Sequence, residues 1–204
     1  MATAADASAF LLEIQLQLDT YKLHKLLYYA QGWHLAWYGE PLFSDRLEAW
    51  VNGPVAPGVF HETRGLREVR AVPSGDGYAL TEWQQRTLRE VMRVYGAFSG
   101  ADLAELTHQE PPWKAARAGL PPDARSDAEV ERAAMKQFFA GLAAIGEEKG
   151  RIPQGVVVGL LAWANMKTTE RMDLAHQDFV DADADAYARW MNDGGDEPWP
   201  EPRA

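Results

Sequence analysis

KLHKLLYYAQGWHLAWYGEPLFSDRLEAWVNGPVAP, residues 22–57, decides the fold. At 100° per residue, Leu23, Leu26, Leu27, Ala30, Trp33, His34 and Trp37 share a stripe roughly 120° wide. The opposite side is also uncharged, since Tyr21, Tyr28 and Leu35 gather there around Gly32. A surface helix would place charges on that side, so this helix is expected to be central and contacted from two directions. Gly32 costs a helix interior about 1 kcal/mol relative to Ala, which the close approach of a neighbouring backbone would offset. Asp19 or Thr20 caps the helix start; Gly39 suits a left-handed residue at its end, and Pro41 stops it.

Working outward, residues 8–18 read as a first helix, with Phe10, Leu11, Ile14 and Leu18 at helical spacing. Residues 40–45 form a loop, 47–51 a short extended piece, and Asn52-Gly53-Pro54 a turn. Pro57 opens another helix over 58–64. Residues 69–80 look like a hairpin, VRAVP and YAL joined by SGDG. Thr81 and Gln84 make a capping box for a helix reaching residue 98, with Trp83, Leu88, Val91, Val94 and Tyr95 inward. Ser99 starts a shorter helix through Leu103, Leu106 and Thr107. Pro112 starts a turn or two, with Trp113 and Ala116 packing inward. Ser126 and Glu129 form a further capping box for a helix to residue 149, whose stripe is Val130, Ala134, Phe138, Leu142 and Ile145.

Residues 154–165 carry three consecutive Val, favouring strand, and Leu160-Leu161-Ala162-Trp163, favouring helix; helix is preferred. Short helices are expected over 168–180 and 186–191, and a disordered acidic tail over 194–204. The expected class is mainly α (α+β): a compact helical domain around a central helix, with a small β-hairpin and a helical C-terminal extension. The boundaries fall at 1–149, 150–193 and 194–204.

Composition points to a soluble globular protein: 47% hydrophobic, 25% charged, 8 Trp and no Cys. Without Cys there is no disulfide framework and no thiolate chemistry, which suits a reducing cytoplasm. No basic leader precedes the first Lys, Lys22, and the longest apolar run, 155–164, is about half a membrane span. A cytoplasmic location with no membrane partner is expected. From Glu170 onward ten acidic residues face only Arg171, Arg189 and Arg203, so this stretch carries −7 of the net charge of −10. Such a chain is not expected to bind nucleic acid directly, because that affinity comes from Lys and Arg on phosphates. It suits a basic protein partner.

Motifs for chemistry are sparse. There is no G-x-S-x-G elbow and no phosphate-binding glycine loop. The five His are scattered without metal-ligand spacing, so no metal or cofactor is expected. Asp181-x-Asp183-x-Asp185 lacks the Gly and Glu of a calcium loop, with Ala186 and Asn192 in their places. Glu48, next to Trp50, reads as a salt-bridged carboxylate partnered by Arg46 or Arg64.

The opening block, extended through Phe60, resembles the signature of the Panacea domain, also called the SocA-like antitoxin or phage-associated GepA-like domain. A second block, YGAFSGADLAELTHQEPPWKAAR at 95–117, resembles its downstream portion. The matching positions include Lys22, Lys25, Tyr28, Tyr29, Trp33, His34, Glu48, Trp50, Gly53, Pro54, Val55, Pro57, Thr107, His108, Glu110 and Trp113. Phe60 stands where the family commonly has Tyr, and the chain after about residue 140 lies outside the signature. The resemblance implies a mostly helical, non-enzymatic antitoxin that neutralises a cognate protein toxin by direct contact. One branch of the family presents its toxin to an AAA+ protease. No catalytic residues are implied.

Two functions remain open. In the first, Tyr28, Tyr29, Trp33, Trp37, Trp50, Gly53, Pro54, Val55, Pro57, Phe60, His108 and Trp113 bind a partner or hold the binding platform, helped by residues 150–204. In the alternative, Glu48, His61, His108 and Glu110 converge in a small metal-dependent or carboxylate/histidine hydrolase.

Overall fold

A computed structural model describes residues 1–146 and 148–174. Twelve elements follow in chain order, all but four of them α-helices: α1 (Ala4–Ile14), β1 (Leu18–Asp19), α2 (Thr20–Tyr38), β2 (Glu48–Trp50), β3 (Gly53–Val55), α3 (Pro57–Thr63), β4 (Glu68–Val69), α4 (Glu82–Tyr95), α5 (Gly100–Gln109), α6 (Pro111–Ala116), α7 (Arg132–Ala143) and α8 (Gln154–Leu174). The mainly helical class with a small antiparallel strand pair is the one read from sequence.

α2 is the axis. Asp19 caps its start by accepting from the Lys22 amide at 2.8 Å, and Gly39 ends it in the left-handed region at φ 80°. α1, α4, α5 and α7 all touch it, which explains the absence of a polar side. Gly32 earns its place differently from expectation: a side chain, not a backbone, fills the gap. A Cβ there would lie 2.1 Å from the Phe139 ring of α7. Around that notch Tyr28, Tyr29 and Trp33 are fully buried; the Tyr29 and Tyr95 rings stack at 3.9 Å, and Trp33 Nε1 donates to the Tyr95 hydroxyl at 3.2 Å. Gln31 fastens the following loop, accepting from the Leu42 and Phe43 amides and donating to the Phe43 carbonyl.

Several local expectations are corrected. α1 starts at Ala4, because Thr3 and Asp6 form a capping box, and Leu18 is spent on strand pairing rather than helix. The hairpin over 69–80 does not form. Glu68–Val69 pairs with Leu18–Asp19, and Asp76 caps a single 3-10 turn at Gly77–Ala79. Tyr78 is 86% exposed, so YAL has no face to bury as a strand. Gly75 instead permits contact with α1, where a Cβ would meet the Ala5 carbonyl at 2.2 Å.

The real hairpin is β2–β3, with Trp50 opposite Gly53 and Glu48 opposite Val55; the turn is Val51-Asn52, and Gly53 and Pro54 lie in the strand. The helix after Ser126 starts later than expected because residues 128–130 run extended beside β2. The Ala49 amide donates to Ala128 O at 2.8 Å, and the Val130 amide to Leu47 O at 2.7 Å. Its stripe shifts accordingly: Met135 and Phe139 are buried, while Ile145 is 65% exposed. The helix expected to reach residue 98 with Trp83 inward ends at Tyr95, and Trp83 is 55% exposed beside Tyr38. Residues 154–165 are helical, as preferred. The acidic triplet at 181–185, the expected helix at 186–191 and the tail at 194–204 lie outside the described residues. Among the described residues no helix is long and apolar enough to cross a membrane.

Candidate functional site

The two sequence blocks meet at the hairpin. β2–β3 lies across α2 and α5, and α6 follows α5 directly because Glu110 ends one helix and Pro111-Pro112 open the next. Trp113 Nε1 donates to the Trp50 carbonyl at 3.2 Å, and its ring stacks on His108 with centroids 4.2 Å apart. Arg117, buried, donates to the carbonyls of Ala49, Pro121, Pro122 and Ala124. Residues separated by more than fifty positions are thereby locked into one surface.

That surface has an aromatic rim. Trp50 is half-buried, meets Phe60 edge-on at 4.6 Å, and donates Nε1 to Glu48 at 2.8 Å. Glu48, buried, also pairs with Arg46, as the sequence reading allowed. Val55, Phe60, Tyr21 and Trp50 form a cluster of their own, separate from the main core.

Beneath the rim sit groups whose charge is suppressed. Lys25 is fully buried, and its ammonium donates to the Pro54 carbonyl at 3.3 Å. Burial pushes it down to about 7, against a small opposing pull from Asp19. Gly53 is the residue that makes room: at φ 96°, a Cβ would stand 2.5 Å from Lys25 Cε and 2.8 Å from Thr107 Oγ1. His24, held down to about 3 by burial and then by Lys25, accepts at Nδ1 from the Ala56 amide. His108 is lowered to about 4, chiefly by burial and then by Lys25 and Arg117. Burial raises Glu110 to about 8, against the pull of the Tyr28 and Tyr29 hydroxyls; the Tyr29 hydroxyl donates to it at 3.1 Å. Burial thus disfavours the charged form of each: His24, His108 and Glu110 are mainly uncharged at neutral pH, while Lys25 lies near its titration midpoint.

Of the residues singled out in the sequence, Trp50, Gly53, Pro54, Val55, Phe60, His108 and Trp113 come together here, with Pro57 at the start of α3 close by. Tyr28, Tyr29 and Trp33 are fully buried and Trp37 nearly so, so no partner can touch them. Glu48, His61, His108 and Glu110 each have separate surroundings: Arg46 and Trp50, the exposed side of α3, Trp113, and Tyr29. Among the described residues no group of three or more His, Asp or Glu is placed to hold a metal ion. Tyr21 and Arg117 complete the surface and were not singled out. Arg117 closes the second quoted block, but nothing in sequence tells an arginine on four carbonyls from a solvated one.

In comparison with known proteins, residues 23–114 fit the family model described as antitoxin SocA-like, Panacea domain. No curated protein and no solved structure matches the chain.

Proposed function

We propose that this protein, whose residues 23–114 match the SocA-like Panacea family model, is the antitoxin of a toxin–antitoxin pair and neutralises its toxin by covering it, without catalysis. The observation that carries the reading is the convergence of both sequence blocks on a single braced surface. The half-buried rings of Trp50, Trp113 and Tyr21 form its rim, in contrast to the wholly buried rings of α2. Rigid aromatic rings lose little conformational freedom on docking, so such a rim suits protein recognition. Tyr28, Tyr29, Trp33 and Trp37 serve as the platform beneath it. The acidic balance past Glu170 steers a basic partner, and toxin choice resides in residues 150–204.

The test starts from the adjacent open reading frame. Expressed alone it arrests growth; co-expressed with this chain it does not, and the two proteins co-purify. Rescue that disappears in a strain lacking an AAA+ protease would replace occlusion by adaptor-driven degradation. A chain ending at residue 174 keeps the packed start of α8 and loses most of the acidic residues. Full rescue of the cognate toxin by that shorter chain, with unchanged discrimination against others, removes toxin choice from the extreme C-terminal part.

A further inference from the structure

The small sheet at the rim has one sealed edge and one open edge. α2 seals β3: the Lys25 ammonium donates to the Pro54 carbonyl, and the Ala56 amide donates to His24 Nδ1. Pro54 has no N–H to offer, so no further strand can add there. On the far side of β2, residues 128–130 run antiparallel to it. Glu129 is bridged to Glu48, and the bonds are those from the Ala49 amide to Ala128 and from the Val130 amide to Leu47. A residue bridged in this way turns its own N–H and C=O away from the partner strand, so those of Glu129 face outward. Among the described residues neither group has a partner. Asp127, Glu129 and Glu131 are exposed at alternate positions, on one side of the extended stretch. None of the three enters an ion pair among the described residues; Glu48, across the bridge, already engages Arg46.

We propose that the toxin adds a basic strand to this open edge: an extended segment with Lys or Arg at alternate positions pairs with the Glu129 backbone and sets its cations against Asp127, Glu129 and Glu131. Charge selects this occupant. A second copy pairing edge to edge would oppose carboxylates with carboxylates. The chain's own end, with ten acidic residues against three arginines from Glu170 onward, carries the same unfavourable sign. The edge also adjoins the aromatic rim, since β2 holds both the bridged Glu48 and Trp50. A partner seated on edge and rim together makes one continuous contact. Main-chain pairing supplies affinity with little discrimination, so toxin choice stays with other contacts. The inference rests on the antitoxin reading and adds to it the chemistry of the contacting segment.

The test is the dissociation constant between the full chain and the product of the adjacent open reading frame. Glu129→Pro removes the outward N–H and leaves both ladder bonds, whose donors are Ala49 and Val130. An edge strand accepts Pro where its N–H faces solvent. The constant is expected to rise about tenfold at low and at high salt, with the circular dichroism unchanged. A triple variant, Asp127→Asn with Glu129→Gln and Glu131→Gln, keeps every backbone group. It should weaken binding about tenfold near 50 mM salt and far less near 500 mM, where exposed charges are screened. Should Glu129→Pro fold poorly, the triple variant and slowed amide exchange at Glu129 in the wild-type complex decide instead. Wild-type affinity in either folded variant, beside a Trp50→Ala chain that binds more weakly, overturns the added strand and leaves the antitoxin reading intact. A wild type that does not bind at all overturns both. A concentration-dependent dimer that Glu129→Pro abolishes assigns the edge to a second copy and also overturns the proposal.

Discussion

Two aromatic clusters, one around Gly32 and one at the β2–β3 hairpin, do opposite things. Around Gly32, Tyr28, Tyr29, Trp33, Tyr95 and Phe139 are all but sealed from solvent; Trp33 Nε1 donates to the Tyr95 hydroxyl and the Tyr29 hydroxyl to Glu110. At the hairpin, Trp50 and Trp113 keep part of each ring in solvent while their indole N–H groups are tied to Glu48 and to backbone. The same residue types thus build a core in one place and an oriented rim in the other. What separates them is whether a helix, here α7, covers the rings. The aromatic density of α2 consequently says little about binding; the anchoring of half-exposed rings says more.

If that division holds, Trp33→Ala is the most damaging single change. It empties a fully buried site and strands the Tyr95 hydroxyl, for an expected loss of about 3–5 kcal/mol, read as a fall in the denaturant midpoint. Any defect in growth rescue should then track the amount of folded protein. Normal protein levels with rescue abolished would place Trp33 in recognition and break the comparison.

The layer of buried titratable groups beneath the rim sharpens it through pH. The folded pKa of Glu110, about 8, stands above its ordinary value of 4.5, so the folded state holds the extra proton between those limits. Its contribution is therefore fully present below about 4.5 and lost as pH rises through about 8. Relative to Glu110→Gln, the wild type should weaken by a few kcal/mol between pH 5 and pH 8.5. Lys25 runs the other way: depressed from 10.5 to about 7, it contributes stability present above 10.5 and lost as pH falls through about 7. Parallel denaturation curves for wild type and Glu110→Gln at both pH values would show that Glu110 is solvated, and the layer not dry.

Gly53→Ala comes next. It forces a side chain to φ 96° and sets its Cβ 2.5 Å from Lys25 Cε, at an expected cost of about 1–3 kcal/mol. Lys25 must move for the hairpin to stay, so the Glu110→Gln and Gly53→Ala effects should fail to add if one polar layer joins them. Additivity within about 0.5 kcal/mol would show them independent.

These positions differ in how far sequence reveals them. The central helix was legible because cap, stop and two-sided apolarity agree within residues 19–41, and the structure keeps all three. The capping box at Thr81 was a local signal and held, and Ser99 starts its helix as read. Ser126 failed as such a signal because its neighbours bond to Leu47 and Ala49, a pairing across some eighty residues that no local pattern encodes. The apparent hairpin at 69–80 failed for the same reason, its backbone partners lying at 18–19. At the candidate site the residue types were visible, and the quoted blocks contained nearly all of them. Which rings are buried was not, since Tyr28 and Trp50 look alike until Phe139 helps seal one while the other, edge-on to Phe60, stays half-buried.

Trp50→Ala is the mildest change for stability and the most informative for function. Part of the side chain is already in solvent, and its removal leaves Glu48 still paired with Arg46, so the expected loss is about 1 kcal/mol. A ring anchoring the centre of an interface, however, typically contributes 2 kcal/mol or more to binding, about a thirtyfold rise in the dissociation constant of the toxin complex. Trp33→Ala should change that constant little once corrected for folded fraction. The two variants thus exchange rank between a stability measurement and a binding measurement. A Trp50→Ala protein that binds toxin with wild-type affinity would show that the rim is merely the outer edge of the core, and would send the search for the contact surface to the other faces of the molecule.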